Sequence, residues 1–145
     1  MVNDIVNGIS TALYSEFGAG YPIYTEEVKQ GLKEPCFFID VPETEQERLV
    51  GNRYLMTVSV NVMYFPASNA KAREMREVKE KLYAILERIT LLDGSGLNGF
   101  QLHGKEVDNV LHFFVTYRPF GYYPETAPAA VMTSMALKIG VKEGE

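Results

Sequence analysis

Apolar residues near the start of the chain recur at spacings of three and four positions. This is the period of one face of an α-helix, and it predicts a short helix that faces the core. Asn3 is a suitable N-cap, and the glycine-containing residues 18–20 are a suitable end. The apolar set comprises Val2, Ile5, Val6, Ile9, Ala12, Leu13 and Phe17.

A second helical pattern, over residues 69–90, is longer and has a charged face opposite its apolar face. Ser68 or Asn69 is expected to cap it, and Arg73 and Glu77 lie at helical spacing on the charged face. We expect this helix to cover one side of a sheet. Its apolar positions are Met75, Val78, Leu82, Ile85, Leu86 and Ile89.

Alternation of two sets of side chains over residues 54–64, one apolar and one polar through its centre, gives the clearest strand signal in the sequence. Pro66 closes this strand, and the helix over residues 69–90 is expected to pack against its apolar face. Residues 36–39 are apolar on both faces and predict a central strand that ends at residues 40–42.

Shorter runs predict the other strands, with a turn near residues 107–109 and a loop or edge strand over residues 26–33. The resulting order, α-β-β-β-α-β-β-β, differs from the regular alternation of a doubly wound parallel sheet. It predicts one α+β domain over residues 1–145, with a mostly antiparallel sheet packed by one short N-terminal helix and one long central helix. The shorter strand runs are residues 21–25, 100–103, 111–117 and 131–141.

Charge and cysteine content narrow the roles open to such a domain. The net charge of -5 argues against a protein that binds nucleic acid by neutralising phosphates. The N-terminus lacks the basic and apolar regions of an export signal, so we expect a protein kept in the cytoplasm, with neither a membrane nor nucleic acid as partner. The single cysteine, Cys36, is expected to pack as a small buried hydrophobe.

Residues 94–99 match the G-x-G-x-x-G string that binds pyrophosphate in dinucleotide enzymes. In those enzymes the string follows a strand and begins a helix, whereas here it follows a predicted helix and precedes a predicted strand. No helix N-terminus is therefore offered to a phosphate. We interpret the string as a flexible connection.

His103 and His112 lie on strands that are predicted to be neighbours, and two facing imidazoles could begin a metal site or an acid–base pair. The acidic residues between them, Glu106 and Asp108, lie in the predicted turn, where carboxylates are commonly solvated. We therefore assign no catalytic, cofactor-binding or metal-binding residue, and we expect no cofactor.

Glu43, Glu45 and Glu47 alternate along the chain, so an extended segment would place the three carboxylates on one face. Such a row could line a channel or bind a cation. The alternative is a solvated hairpin tip between two strands.

Four tyrosines lie outside the best core patterns and are candidates for contacts between subunits, because tyrosine is enriched in protein interfaces. For each of them, the alternatives are core filling and exposure without a partner. They are Tyr21, Tyr24, Tyr122 and Tyr123.

Several segments of the chain closely resemble the tail terminator proteins of long-tailed phages and prophages of Gram-positive bacteria. The resemblance runs from about residue 3 to residue 118, and its longest segment is the most specific. The segments are NDIVNGI at residues 3–9, YTEEVKQGLKEPCFFI at 24–39, YFP at 64–66 and FFVTY at 113–117.

The resemblance implies an α+β subunit that assembles, commonly as a six-membered ring, on the end of the tail tube. There it would stop tube polymerisation and offer a surface to head-completion proteins. Its partners would be further copies of itself, the tail tube protein and a head-completion protein, and it would pass from the bacterial cytoplasm into the virion tail. The family is not known for catalysis, so no active-site residue carries over.

In such a ring, DNA must pass through the bore, and an acidic lining avoids attracting its phosphates. We therefore expect residues 42–53 to project as a hairpin, with Glu43, Glu45 and Glu47 facing the channel or the tube. We expect subunits to meet elsewhere, through strand edges and tyrosine-bearing loops.

Two other interpretations remain open. A head–tail connector or neck protein would have the same acidic, assembly-prone features. A small cytoplasmic ligand-binding domain or enzyme would need a pocket of convergent polar groups, for which the region of His103 and His112 is the candidate. A metal analysis and a ligand thermal-shift screen distinguish these classes.

Overall fold

The computed structural model describes residues 1–27 and 31–124. In these residues the chain forms two α-helices and seven β-strands. The elements are α1 (Val2–Phe17), β1 (Ile23–Tyr24), β2 (Cys36–Arg48), β3 (Arg53–Phe65), α2 (Lys71–Leu86), β4 (Arg88–Thr90), β5 (Gly96–Val107), β6 (Val110–Tyr117) and β7 (Phe120–Tyr122).

The seven strands form one sheet in the order β1-β2-β3-β6-β5-β4, and β7 also pairs with β3, beyond the end of β6. β1 runs parallel to β2, and every other pairing is antiparallel. The predicted α+β class is confirmed.

Helix α1 buries the apolar stripe that the sequence predicts and is followed by Gly18, whose φ of 85° ends the helical conformation. It begins earlier than expected. Met1 is the N-cap residue, and its carbonyl oxygen accepts the N–H of Ile5 at 3.2 Å. Asn3 lies inside the first turn, so the predicted cap at Asn3 is wrong. The buried residues are Ile5, Gly8, Ile9 and Leu13.

Helix α2 is shorter at both ends than the predicted residues 69–90. Ala70 is its N-cap residue and makes no side-chain hydrogen bond to the helix, so the predicted cap at Ser68 or Asn69 is wrong. Both helices are 16 residues long, and the expected contrast between a short and a long helix is also wrong.

The carboxylate of Glu74, in the first turn of α2, accepts hydrogen bonds from the backbone N–H groups that precede the helix. It accepts the N–H of Ser68 at 3.0 Å and of Ala67 at 3.3 Å, and also the hydroxyl of Tyr64. Burial acts to raise the pKa of Glu74, but the hydrogen bonds together outweigh it and lower that pKa. Burial, followed by the bond to Glu74, raises the pKa of Tyr64. The contact ties the end of β3 to α2.

The last turn of the predicted helix is in fact strand β4. Ile89 lies three residues after Leu86, as a helical stripe requires, but it pairs with Leu97 of β5 and is buried there. Local spacing fits either structure, and the long-range partner decides between them.

The core lies between the two helices and one face of the sheet. The backbone of α2 approaches β6, β5 and β4, and α1 lies beside α2 and β4. Leu82 of α2 is fully buried in the same apolar cluster as Val58 and Val62 of β3. The backbone of α2 comes nearest to β6 and β5, and its buried side chains share one apolar cluster with the apolar face of strand 54–64.

Strands β2 and β3, each of 13 residues, form a long hairpin. A β-bulge between Asp40 and Glu43 carries β2 past its predicted end at residues 40–42 as far as Arg48. From Glu43 to Arg48 every residue of β2 is exposed. We call residues 43–57 the distal hairpin.

Strands β5 and β6 are joined by the predicted turn, with φ values of 53° at Asp108 and 62° at Asn109. A second bulge interrupts β5 at Gln101, which has a φ of 57°. The predicted strand over residues 131–141 lies outside the described residues, as do residues 28–30 of the predicted loop or edge strand.

Candidate assembly surface

The side of the sheet that α1 and α2 leave uncovered, here called the helix-free face, carries the side chains that alternate with the core. Directly opposed residues of antiparallel strands point to the same side. Because Val58, Val60 and Val62 are buried, Ser59 and Asn61 lie on the helix-free face. Three rows cross this face: Phe38–Met63–His112–Lys105, Asp40–Asn61–Phe114–His103 and Glu43–Ser59–Thr116–Phe100.

The three candidate glutamates lie together on the helix-free face of the distal hairpin. Their β3 partners are Ser59, Thr57 and Leu55 for Glu43, Glu45 and Glu47 in turn. All three are exposed, and among the described residues none of them forms an ion pair. With alternate strand residues about 7 Å apart, they form an acidic row.

Tyr123 holds the chain after β7 against the opposite side of the distal hairpin. Its hydroxyl accepts the amide N–H of Gln46 at 3.1 Å, and its ring centroid lies 4.1 Å from the Arg48 guanidinium and 4.9 Å from the Tyr54 ring. Its backbone N–H donates to the Asn52 carbonyl oxygen at 2.6 Å. Tyr123 therefore contacts this chain's own hairpin tip.

Tyr122 lies on the helix-free face, on the side of the sheet opposite to the Tyr123 ring. It is opposite Arg53 in the sheet, and Phe120 is opposite Leu55, which places both aromatic rings on the helix-free face. Tyr122 is 68% exposed and Phe120 is 63% exposed. Together with Glu47, which also faces Leu55, they form an exposed aromatic and acidic corner.

Tyr21 and Tyr24 are half-buried, and each contacts other residues of this chain. The ring of Tyr21 lies 5.4 Å from Phe17 and 6.3 Å from Tyr64, measured between centroids, in an aromatic cluster at the edge of the core. The hydroxyl of Tyr24 accepts the N–H of Lys33 at 3.4 Å.

The two histidines lie on neighbouring strands of the helix-free face, as predicted, with Phe114 between them. The Phe114 ring stacks on both imidazoles, with centroids 4.9 Å from His103 and 6.4 Å from His112. Nδ1 of His112 lies 3.3 Å from the Asn61 amide nitrogen, and Nδ1 of His103 lies 3.0 Å from the Gln101 carbonyl oxygen. Within residues 1–27 and 31–124, no three potential metal ligands come together.

The glycine-rich string at residues 94–99 is not the flexible connection that we predicted. Gly94 has a φ of 89° in the turn, and β5 begins at Gly96. At Gly99 a side chain would bring Cβ within 2.8 Å of the Leu86 carbonyl oxygen and of Val115. The glycine at this position is required by close packing under the end of α2.

Cys36 is buried, as predicted. Burial, with a smaller contribution from the carboxylate of Glu34, raises the pKa of its thiol to about 11. The cysteine is therefore protonated at neutral pH and inert.

Sequence reasoning expects open strand edges but does not locate one in the distal hairpin, and it misses the short strand β7. The period-two placement of Phe120 and Tyr122 around Gly121 was the available signal for β7. The open edge has no signal of its own, because it depends on where β1 stops pairing with β2.

Comparisons with known proteins identify the family of the chain as a whole. In the described part of the chain, neither helix is long and apolar enough to cross a membrane. Among curated proteins, no sequence matches this chain. A sequence profile described as "Phage tail terminator protein" matches residues 4–129, which is most of the chain, and it represents a structural component of the virion tail. The chain therefore belongs to the phage tail terminator family.

Proposed function

We propose that this chain forms a ring, a hexamer in our hypothesis, on the end of the phage tail tube. There it stops tube polymerisation and presents the joining surface for the head-completion protein. The observation that carries this proposal is the family match over residues 4–129. Assembly takes place in the bacterial cytoplasm, and the completed ring remains in the virion tail.

The structure supports this role with a surface that contributes little to the fold. The distal hairpin is exposed along all of β2 beyond the bulge, and its acidic row lies on the helix-free face. A row of carboxylates next to passing DNA repels phosphates, whereas a basic lining would hold them. We propose that Glu43, Glu45 and Glu47 face the channel or the tube.

The four candidate tyrosines differ in how much surface each has free to contact another subunit. Tyr122 has most of its surface free, so it is the strongest candidate for a contact with another subunit. Tyr123 supports that contact indirectly, because it fixes the strand end against Gln46 and Arg48. Tyr21 and Tyr24 offer a subunit only the parts of their rings that remain exposed.

The direct test is to add the full chain to polymerising tail tube protein and to measure tube lengths by electron microscopy. We expect the tubes to stop growing, with the chain located at one end. Tubes that grow as long as they do without the chain, with no chain at their ends, would contradict the capping role.

A charge variant tests the acidic row separately. Glu43→Lys, Glu45→Lys and Glu47→Lys combined should leave the monomer folded but impair tail completion or DNA passage in the phage that encodes the chain. The matched control reverses three exposed glutamates on the helix side: Glu16→Lys, Glu80→Lys and Glu87→Lys. Equal infectivity of the two variants would refute the channel or tube position of the row.

A further inference from the structure

We propose that neighbouring subunits join by strand addition, in which the open edge of β2 in the distal hairpin of one copy pairs antiparallel with the open edge of β5 in the next copy. This inference rests on the proposed ring and names the surfaces through which its copies meet.

The first edge belongs to β2. β1 pairs with β2 only at Phe37 and Phe38, and no other described strand continues along that side. The N–H of Leu49 donates to the carbonyl oxygen of Arg53 at 2.9 Å, and backbone groups alternate in direction along a strand. The backbone groups that point away from β3 are therefore those of Thr44, Gln46 and Arg48.

The second edge belongs to β5. β4 pairs only with residues 96–98, and the N–H of Gly99 still points to that side, where it donates to the Glu87 carbonyl oxygen at 2.6 Å. The bulge at Gln101 adds one residue and reverses the alternation beyond it. The backbone groups that point to the open side are therefore those of Leu102, Gly104 and Glu106.

Unpaired backbone groups along a strand edge are a template for another strand. β2 and β5 lie towards opposite margins of the sheet and run in opposite directions, because β2, β3, β6 and β5 are successively antiparallel. A copy rotated about a ring axis can therefore bring its β2 antiparallel to the β5 of its neighbour. Because the two edges differ, the contact is heterologous and can close into a ring. The helices of all copies then lie on one side of the extended sheet.

Charge complementarity favours the pairing of β2 with β5 over a symmetric pairing of two β2 edges. When Gln46 lies opposite Gly104, Glu45 lies opposite Lys105, and Glu47 lies opposite His103, all on the helix-free face. Lys105 forms no ion pair with any other described residue. Opposite charges on directly opposed positions stabilise a strand pair, whereas like charges destabilise it. Two β2 edges brought together would instead oppose carboxylates.

Disulfide cross-linking tests the register. The full chain carrying Glu45→Cys and Lys105→Cys, under mild oxidation, should give a ladder from dimer up to the closed ring on a non-reducing gel. Each single variant should give no ladder, because a heterologous contact places no second cysteine opposite the first. The native Cys36 does not interfere because it is buried. A control pair, Glu45→Cys with the exposed Lys81→Cys on α2, should also give none.

Two results would overturn the proposal. Dimers from Glu45→Cys alone would show symmetric pairing of two β2 edges. Absence of a ladder from the double variant, both free and on tube ends, would show that the two edges do not meet.

Charge reversal gives an independent readout. Glu45→Lys and Lys105→Glu should each weaken self-association at least several-fold in sedimentation, with an unchanged melting temperature, and the double reversal should restore it. Failure of the double reversal to restore association would refute the ionic pairing. The edge pairing and the proposed capping role can fail independently. A cross-linked ladder from a chain that does not limit tube length refutes capping. Tubes that are capped by a chain that gives no ladder refute the edge pairing.

Discussion

The two halves of the β2–β3 hairpin are made of the same two strands, but they differ in what surrounds them. In the half that begins at Cys36, the side chains of Phe37, Ile39, Val62 and Tyr64 lie in the core under the helices. In the distal hairpin, β2 is exposed throughout. Burial of apolar area stabilises the first half, so the second is free to carry charge and open backbone for another protein.

Tyr123 qualifies this contrast, because it shows how the distal hairpin keeps its shape without a core. The Tyr123 ring, the Arg48 guanidinium over it, the adjacent Tyr54 ring and two hydrogen bonds between Asn52 and the Tyr123 backbone hold the tip. These interactions are exposed, so each contributes little to the stability of the fold. Their effect is to fix the geometry of the edge.

The largest expected effect comes from a charge in the core half. Leu82→Asp places an unpaired carboxylate at a position with no exposed surface. It should lower the free energy of unfolding by several kcal/mol, about 4 kcal/mol or more, and so unfold the domain. The control, Leu92→Asp, changes a residue that is 84% exposed and should leave thermal unfolding unchanged. A soluble Leu82→Asp variant with the wild-type melting temperature would show that α2 does not face the core.

Glu74→Gln should destabilise the core half by about 1–2 kcal/mol near neutral pH, because hydrogen bonds to a charged acceptor are the stronger kind. The folded state lowers the pKa of Glu74 below its ordinary value of 4.5. The stabilisation is therefore present above pH 4.5 and is lost as pH falls through the folded pKa. Denaturant unfolding at several pH values should show the wild type and the variant converging in acid. A gap that is constant with pH would contradict the assigned role of the carboxylate.

Two tyrosine variants compare how much one hydroxyl contributes to stability in the core and at the distal hairpin. Tyr117→Phe removes a buried hydroxyl that donates to the Leu86 carbonyl oxygen at 2.7 Å, and it should cost about 1 kcal/mol. Tyr123→Phe removes an exposed hydroxyl and should cost less than about 0.5 kcal/mol. Equal costs in chemical denaturation would remove the energetic distinction between the halves.

The smallest effect on the monomer is expected at the acidic row. Glu43→Gln, Glu45→Gln and Glu47→Gln combined should change the free energy of unfolding by less than about 0.5 kcal/mol, since the side chains are solvated and repel one another. A loss of more than about 2 kcal/mol, measured by denaturant unfolding, would mean that the row is part of the folded core.

The sequence predicted those elements whose pattern is local. The alternation in residues 54–64, the stripe of α1 and the turn at Asp108–Asn109 are all confirmed, because side-chain period and turn chemistry are properties of neighbouring residues. The local pattern places Ile89 in a helix and Gly99 in a flexible connection. Both predictions are wrong, because the structure at these positions depends on β5 packing beneath α2.

The candidate site was predictable only as a list of side chains. The spacing of Glu43, Glu45 and Glu47 does indicate a common face, and the structure places them on one. The bulge that determines which face they share depends on the pairing of Asp40 with Asn61 and of Glu43 with Ser59, so it is not encoded in the spacing. The open edges depend on where β1 and β4 end their pairing.

Amide hydrogen exchange, compared between the unassembled chain and the ring, tests most directly the claim that the distal hairpin is an assembly edge. We predict that the N–H groups of Thr44, Gln46 and Arg48 exchange rapidly in the monomer and become protected in the ring, whereas Val62 is protected in both. Rapid exchange of the three groups in the assembled ring would contradict the account.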